Sequence, residues 1–565
     1  MIDAHADIVG SLLRPPALLA AQEKLRAGDI GRAAFKVVED EAVDFCIALQ
    51  QDAGLRVVTD GEMRRLSFQS QILEAVDGFG GWDIDGEPYT RAAGSRFDWL
   101  RARMVGGRTN HWGRISLRFG PDDFRRGDLD GLSPSWPIGY DDIAPYYDRL
   151  DRLIGIIGSV ENIPNQPDGI FMPPPRPRAY ELLVKNACER MNIPCIPGRL
   201  SIITRPLNGR APCHYCGQCA RGCTVHANFS STNVLLPPAR ATGNLTLLTN
   251  AMAREVTVDD TGRCTGVSYV DKTTGIDEHV RARVVVLAAS ACESARILLN
   301  SKSTQFPDGL ANSSGQVGRA LTDTTGTTVA GFVPRLVGRT RYNEDGVGGG
   351  HVYMPWWLDN SRLNFPRGYH IEVFGGFGQP GAGFMGGIHR YPNDGGWGRS
   401  LKEDYRRYDG TTVGFEGRGE MIPNVNSYCE IDPEVTDQWG IPALRFHWAW
   451  TDHEHQQVRH MQETFRALID DMGGEVFSPM PAADRGYGIQ TGGSIIHELG
   501  GARMGSDPND SVLNEWCQAH DVPNLFVVDG APFTSQADKN PTWTIMALSW
   551  RASDRIAQLR REGAL

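Results

Sequence analysis

Hydrophobic and polar positions divide the chain into segments of different character. Pro15-Pro16 opens a run of good helix formers from Ala17 to Ala27 that Gly28 stops, and a second helical run, Ala33 to Asp52, is closed by Gly54. Leu55-Arg56-Val57-Val58-Thr59 then reads as a buried strand ending at Asp60-Gly61-Glu62. Further on, Arg283-Val284-Val285-Val286-Leu287-Ala288-Ala289 is a stronger buried strand that runs into a helix from Glu293 to Leu299. Between Thr324 and Tyr487 the pattern changes to short alternating segments, such as Tyr369-His370-Ile371-Glu372-Val373-Phe374, separated by glycine clusters. That pattern predicts an antiparallel sheet facing a ligand. The C-terminal part returns to β-turn-α order, with a strand at Asn524–Asp529 and a helix from Pro541 to about Arg561. Together these elements predict an α/β chain (α+β overall) in which a discontinuous cofactor domain wraps around an inserted substrate domain.

Composition adjusts this picture in three places. Glycine supplies 65 of the 565 residues, an excess that points to tight turns and close backbone approaches of the kind cofactor enzymes use. Lys+Arg 57 against Asp+Glu 68 gives a net charge of −11, the opposite balance to a nucleic-acid binder. No apolar run reaches membrane-spanning length. The opening Met1-Ile2-Asp3-Ala4-His5-Ala6-Asp7 has no basic leader region, so a cytoplasmic location is the default expectation.

Candidate chemistry concentrates near the C-terminus. His497-Glu498-Leu499-Gly500-Gly501-Ala502-Arg503-Met504-Gly505 is followed, forty-three residues after the histidine, by Asn540-Pro541-Thr542. Proline suits a first helical position because its missing N–H would be unpaired there, which makes Asn540 the natural N-cap. The free amides and dipole of a helix start favour negative charge, and a loop histidine beside them can act as general base for an alcohol proton. On these residues alone, a plain cap and a structural histidine stay open.

The wider pattern narrows the choice. His497-x-x-Gly500-Gly501-x-Arg503-Met504-Gly505-x-Asp507-Pro508, Asn524-Leu525-x-Val527-x-Asp529-Gly530, Asn540-Pro541-Thr542 and Ala547-x-x-x-Arg551-x-x-Asp554 resemble the C-terminus of the glucose–methanol–choline (GMC) flavoprotein oxidoreductases. Val105-Gly106-Gly107-Arg108-Thr109-Asn110-His111-Trp112-Gly113, the run from Trp136 to Tyr147, and Asn312-Ser313-Ser314-Gly315-x-x-Gly318-Arg319 continue the likeness upstream, so that it spans about residues 87–565. The resemblance implies that His497 is the catalytic base and that Asn540 hydrogen-bonds the substrate oxygen. A hydride would then leave the alcohol carbon of a small alcohol or sugar for N5 of FAD. It places Gly106, Gly107, Asn110, His111, Val256, Asp529, Gly530, Pro541 and Thr542 at the cofactor. An asparagine partner looks like the pyranose-oxidising branch, where a histidine at the position of His111 can carry the flavin covalently. Covalent attachment, flavin contact and a packed structural role all stay open for His111.

One departure stands out. A GMC chain should begin with a strand, G-x-G-x-x-G, a helix and a later acidic residue for the ribose, and nothing before Glu87 supplies this. Gly376-Phe377-Gly378-Gln379-Pro380-Gly381 has the literal spacing, but Pro380 and the glycines beyond oppose the required helix. In the expected place, Val9-Gly10-Ser11-Leu12-Leu13-Arg14-Pro15 and Gln51-x-Ala53-Gly54-Leu55-x-Val57-Val58-Thr59-Asp60-Gly61-Glu62 look like the start of cobalamin-independent methionine synthase, without that family's zinc ligands. The expected division is therefore a methionine-synthase-like fragment (1–86), an incomplete FAD-binding domain lacking its first βαβ unit (87–323 and 488–565) and a substrate domain (324–487). Two outcomes follow: an FAD-dependent CH–OH oxidoreductase, or a chimeric, cofactor-deficient and inactive remnant.

Four cysteines need their own reading. Cys213-x-x-Cys216-x-x-Cys219-x-x-x-Cys223 has the spacing of an iron–sulfur run without its usual following proline, and resembles a cluster loop in some sugar-dehydrogenating GMC relatives. Structural thiols, an iron–sulfur cluster and zinc stay open.

Overall fold

The computed structural model describes residues 14–27, 29–52, 84, 86–217, 219, 222–340, 348–355, 363–377 and 399–565. The chain divides into two compact units, residues 1–81 with 102–104, and residues 82–101 with 105–565. In the first, α1 (Pro16–Ala27) and α2 (Arg32–Asp52) start within a residue of the sequence reading and pack Leu18 with Ala42, Val43 and Cys46. The strand expected at Leu55–Thr59 lies outside the described residues.

The second unit carries the candidate chemistry. Its largest sheet is antiparallel, in the order β13-β7-β10-β9-β8-β2, from β2 (Ile196–Pro197), β7 (Thr328–Phe332), β8 (Val352–Met354), β9 (Tyr369–Gly375), β10 (Thr412–Gly419) and β13 (Glu475–Val476). Alternation decides what each face does. Ile371, Val373, Val413, Phe415 and Met354 turn to one face, where α4 (Ala179–Arg190) and α6 (Asp452–Asp471) supply Val184, Phe465 and Leu468 to a common core. Tyr353, His370, Glu372, Glu416 and Arg418 alternate with them and occupy the other face.

A second core joins α3 (Tyr140–Ile154), α5 (Ala291–Asn300) and α7 (Thr542–Arg561) to three smaller sheets. One is an antiparallel meander of β3 (Ala251–Val258), β4 (Cys264–Asp271) and β5 (Asp277–Arg281). Another pairs β11 (Tyr428–Thr436) with β12 (Pro442–His447), to which β1 (Thr90–Arg91) adds in parallel. The last is a parallel pair, β6 (Val285–Leu287) and β14 (Leu525–Val527).

The strand expected over Arg283–Ala289 shortens to Val285–Leu287 for a physical reason. Among the described residues β6 has a ladder partner on one edge only, β14, which matches just those three positions. A parallel strand is ordinarily covered on both faces, yet Val286 is 45% exposed. Just beyond β6, Ser290 has φ 89° and ψ 157°, a region that side-chain-bearing residues occupy at a cost of about 1–3 kcal/mol. Its N–H still donates to Asp529. Ser290→Gly keeps that donor and removes the strain, so we expect the thermal midpoint to rise by the equivalent of about 1 kcal/mol. An unchanged or lower midpoint would show the strain is not relieved there.

Candidate active site

His497 sits at the end of a tightly tied loop. The buried Asp323 carboxylate accepts from the backbone N–H groups of Gly493 (2.7 Å), His497 (2.9 Å) and Thr324 (2.8 Å). That grip coexists with a β-branched residue, Ile496, in the left-handed region at φ 67°. Next along, Glu498 receives the Arg108 guanidinium in a two-pronged pair at 2.6 and 3.0 Å, which fastens the Gly107–Asn110 turn to the histidine loop. The imidazole is flanked by Thr324, whose Oγ1 lies 2.8 Å from His497 Nδ1 and accepts from Gln536 Nε2 at 3.0 Å. Burial, and then the nearby Arg418 guanidinium, push the His497 pKa down to about 3, with Glu372 opposing. The ring is therefore neutral at ordinary pH, as a general base must be.

Asn540 meets this ring from the other side, its Nδ2 3.5 Å from His497 Nε2. Here the N-cap expectation is corrected. Helix α7 begins at Thr542 with Pro541 as its N-cap, and no side chain caps it, so Asn540 stands one residue outside with its carboxamide free for other work. The segment Asp538–Asn540 is pinned instead by Lys539, fully buried, which reaches Asp123 at 2.8 Å and Asp538, and by His370 Nδ1, which donates to the Asp538 carbonyl. Asn540 Nδ2 donates to Glu372 Oε1 at 3.2 Å.

Glu372, His370, Arg418, Thr324 and Lys539 were not among the residues singled out from sequence. For the first two a signal existed, since the alternating Tyr369–Phe374 segment already puts both on one face. Register explains the rest of that face. Tyr353 pairs with Glu372 and Glu372 with Glu416, so three strands set these side chains in one row. Two facing carboxylates repel, and Arg418 Nη2 bridges them, 3.2 Å from Glu372 and 2.5 Å from Glu416. Burial alone would raise the Glu372 pKa; Arg418, His370 and Asn540 outweigh it and hold the group well below the usual carboxylate range. The row lines a cavity of about 410 Å³ with Ile115, Leu117 and Phe374. Tyr353 Oη, buried and without a hydrogen-bond partner, belongs to its wall. His497 and Asn540 are not in that wall; Glu372 connects them to it.

The positions expected at the cofactor are distributed as follows. Gly106 (φ 88°) and Gly107 (φ 51°) form the turn, and a Cβ on Gly106 would come within 2.7 Å of Thr232. The Asn110 side chain is spent inside that turn, donating to the Val105 carbonyl and accepting from Thr232 Oγ1, both at 2.8 Å. His111 ends the turn half-buried, its pKa lowered by burial and then by Arg108 and Arg114. Val256 is buried on β3, its N–H donating to Ser301 Oγ. Gly530 packs against the histidine loop, where a Cβ would come within 2.9 Å of the Glu498 carbonyl oxygen.

FAD needs a pyrophosphate cradle at a β–turn–α unit, with backbone amides open to an anion. On the parallel pair, the turn from β6 to α5 has that position filled by the protein's own carboxylate. Asp529 accepts there from Ser290 N (3.0 Å), Ser294 Oγ and Ala531 N (2.8 Å). Gly376 follows β9 of the antiparallel sheet, and a second run of the same spacing, Gly381-Ala382-Gly383-Phe384-Met385-Gly386, overlaps the first; residues 378–398 lie outside the described ones. Among the described residues no G-x-G-x-x-G turn cradles a pyrophosphate.

The metal reading of the cysteines is also corrected. Cys213, Cys216, Cys219 and Cys223 border a space of only about 10 Å³, roughly one water. Their sulfurs are drawn to different amides, Cys213 to Tyr215 N, Cys219 to Gly348 N and Cys223 to Ala227 N. Among the described residues no three His, Cys, Asp or Glu side chains converge on a metal position.

Comparison with known proteins covers the greater part of the chain. The family model for GMC oxidoreductases matches residues 90–325 with its N-terminal part and 423–549 with its C-terminal part. A 2-methyl-1,2-propanediol dehydrogenase of Mycolicibacterium austroafricanum is 33% identical over 472 residues, 80% of each chain. A paromamine 6'-oxidase of Streptomyces fradiae is 27% identical over 521 residues, 90% of this chain and 86% of that one. Among solved structures, a formate oxidase of Aspergillus oryzae RIB40 superposes with a TM-score of 0.59 at 12% identity, covering 87% of this chain and 91% of that one. The chain belongs to the GMC oxidoreductase family, enzymes that act on CH–OH groups, and membership implies FAD.

Proposed function

We propose that this chain carries the proton-handling half of CH–OH oxidation in a small alcohol or sugar. His497 takes the hydroxyl proton at Nε2, while Asn540 Nδ2 donates to the same oxygen. The observation that carries this is the 3.5 Å approach of those two nitrogens, with the ring half-buried and neutral. A hydroxyl oxygen between them meets one acceptor and one donor, the arrangement that removes its proton and steadies the charge that develops.

FAD, which accepts the hydride in this family's chemistry, has no cradle among the described residues, and no hydride step is assigned to this chain alone. That observation also favours the second reading, a cofactor-deficient remnant. We take residues 1–86 as a methionine-synthase-like segment that adds nothing to the chemistry, and residues 324–487 as the part that holds substrate.

The test supplies what is missing. A variant in which a relative's strand–G-x-G-x-x-G–helix unit replaces residues 1–86 is expected to bind flavin and reduce an artificial acceptor with 2-methyl-1,2-propanediol or paromamine, the substrates in the relatives' names. In that background His497→Ala should lower kcat at least about a hundredfold at unchanged flavin content. An unaltered rate would remove His497 as the base.

A further inference from the structure

We propose that Glu372 is a positioning residue that sets the orientation of the Asn540 carboxamide and, through it, the tautomer of His497. The inference rests on the reading of His497 as base and adds a residue that neither the motif nor the family match points to.

An ionised carboxylate can only accept hydrogen bonds. With Glu372 Oε1 3.2 Å from the Asn540 amide, the NH₂ end must face it, because the reversed amide would set a carbonyl oxygen against a carboxylate. Asn540 Oδ1, buried and unpartnered, does nothing to hold the group the other way. The second N–H of that NH₂ then faces His497 Nε2, so this ring nitrogen offers its lone pair. The ring proton sits on Nδ1, where Thr324 Oγ1 accepts it at 2.8 Å and accepts also from Gln536. In the opposite tautomer two N–H groups would point at each other, and the ring could not receive a proton at Nε2.

Glu372 suits this role because it is itself fixed. It stands in the middle of a sheet, between Tyr353 and Glu416 in register, with Arg418 at 3.2 Å and His370 Nε2 at 3.3 Å. Rigid elements place a functional group more closely than loops do, and the Asp538–Asn540 segment borrows that rigidity.

The experiment uses the full chain labelled with [15N]histidine, and a long-range 1H–15N spectrum near neutral pH. His497 is identified by the signals lost in His497→Gln. In the wild type we expect Nδ1 protonated and Nε2 bare. In Glu372→Gln, whose side chain donates as well as accepts, the tautomer ratio should fall by about tenfold. Asn540→Asp replaces the donor by an acceptor and should move the proton to Nε2, and it keeps the proposal open to refutation if Glu372→Gln does not fold. A wild-type ring protonated on Nε2, or an Asn540→Asp ring that stays protonated on Nδ1 only, overturns it. Failure of a flavin-restored variant to oxidise alcohols, with this pattern intact, would count against the base assignment instead.

Discussion

The purified chain is expected to show no stoichiometric flavin band in its visible spectrum. A pyrophosphate at a helix start gains two or three charge-assisted bonds from backbone amides, each worth about 1.5–3 kcal/mol. Losing them amounts to roughly 5 kcal/mol, or nearly four powers of ten in Kd. At the β6–α5 turn the Ser290 N–H already serves Asp529. The other edge of β6 has no strand partner among the described residues, and Val286 on it is exposed. The converse is part of the prediction. Exchange of residues 1–86 for a fingerprint-bearing unit should restore the band, whereas single changes at His497 or Asn540 should not alter flavin content. A full complement of flavin in the natural chain would refute the argument at its root.

What the sequence disclosed, and what it withheld, follows from the range of the interactions involved. The runs at Ala17–Ala27, Glu293–Leu299 and Pro541–Arg561 were legible because helix formation and its stop signals are local. Tyr369–Phe374 was legible because alternation against a core is local too. The His497–Asn540 pairing came from spacing within a family pattern, and the fold brings the two together. Strand β6 was overestimated because its length depends on partners far away in the chain, and only Leu525–Val527 provides one. Asn540 was misplaced by one residue as a cap, since Pro541 can take the N-cap position itself. Thr324 and Arg418 could not have been found: each reaches the histidine only through strand pairing and a loop that closes between residues far apart in the chain. The cysteine spacing left three readings open for the opposite reason, because spacing says nothing about whether four sulfurs share room for an ion.

Lys539→Met should be the most damaging single change near the site that touches neither His497 nor Asn540. The lysine is 1% exposed, and its ammonium lies between Asp123, at 2.8 Å, and Asp538. Around them, Glu420 faces Arg367 at 3.0 Å and Arg126 at 3.6 Å, and Arg367 reaches Asp130 at 2.9 Å. Replacing such an ion cluster outright by apolar groups can be neutral, but removing one member leaves bare charge in the interior, at a cost of about 3–5 kcal/mol. We expect the urea midpoint to fall accordingly, and Asp538→Asn added to Lys539→Met to recover a substantial part, since it removes one of the stranded charges. The pH dependence gives a sharper check. Burial alone would lower the lysine pKa; Asp123 and Asp538 outweigh it and raise it well above the ordinary value. Stability from a raised lysine is fully present below its unfolded pKa, about 10.4, and is lost only as pH climbs through the folded value, so the wild type should show no loss from this group near neutrality. In Lys539→Met the stranded carboxyls are more easily protonated folded than unfolded, so the variant should regain stability on acidification and the gap to wild type should narrow from about pH 7 to about pH 4. A gap that is small, or that is constant over that interval, would mean that the buried amine is not what holds the segment leading into Asn540.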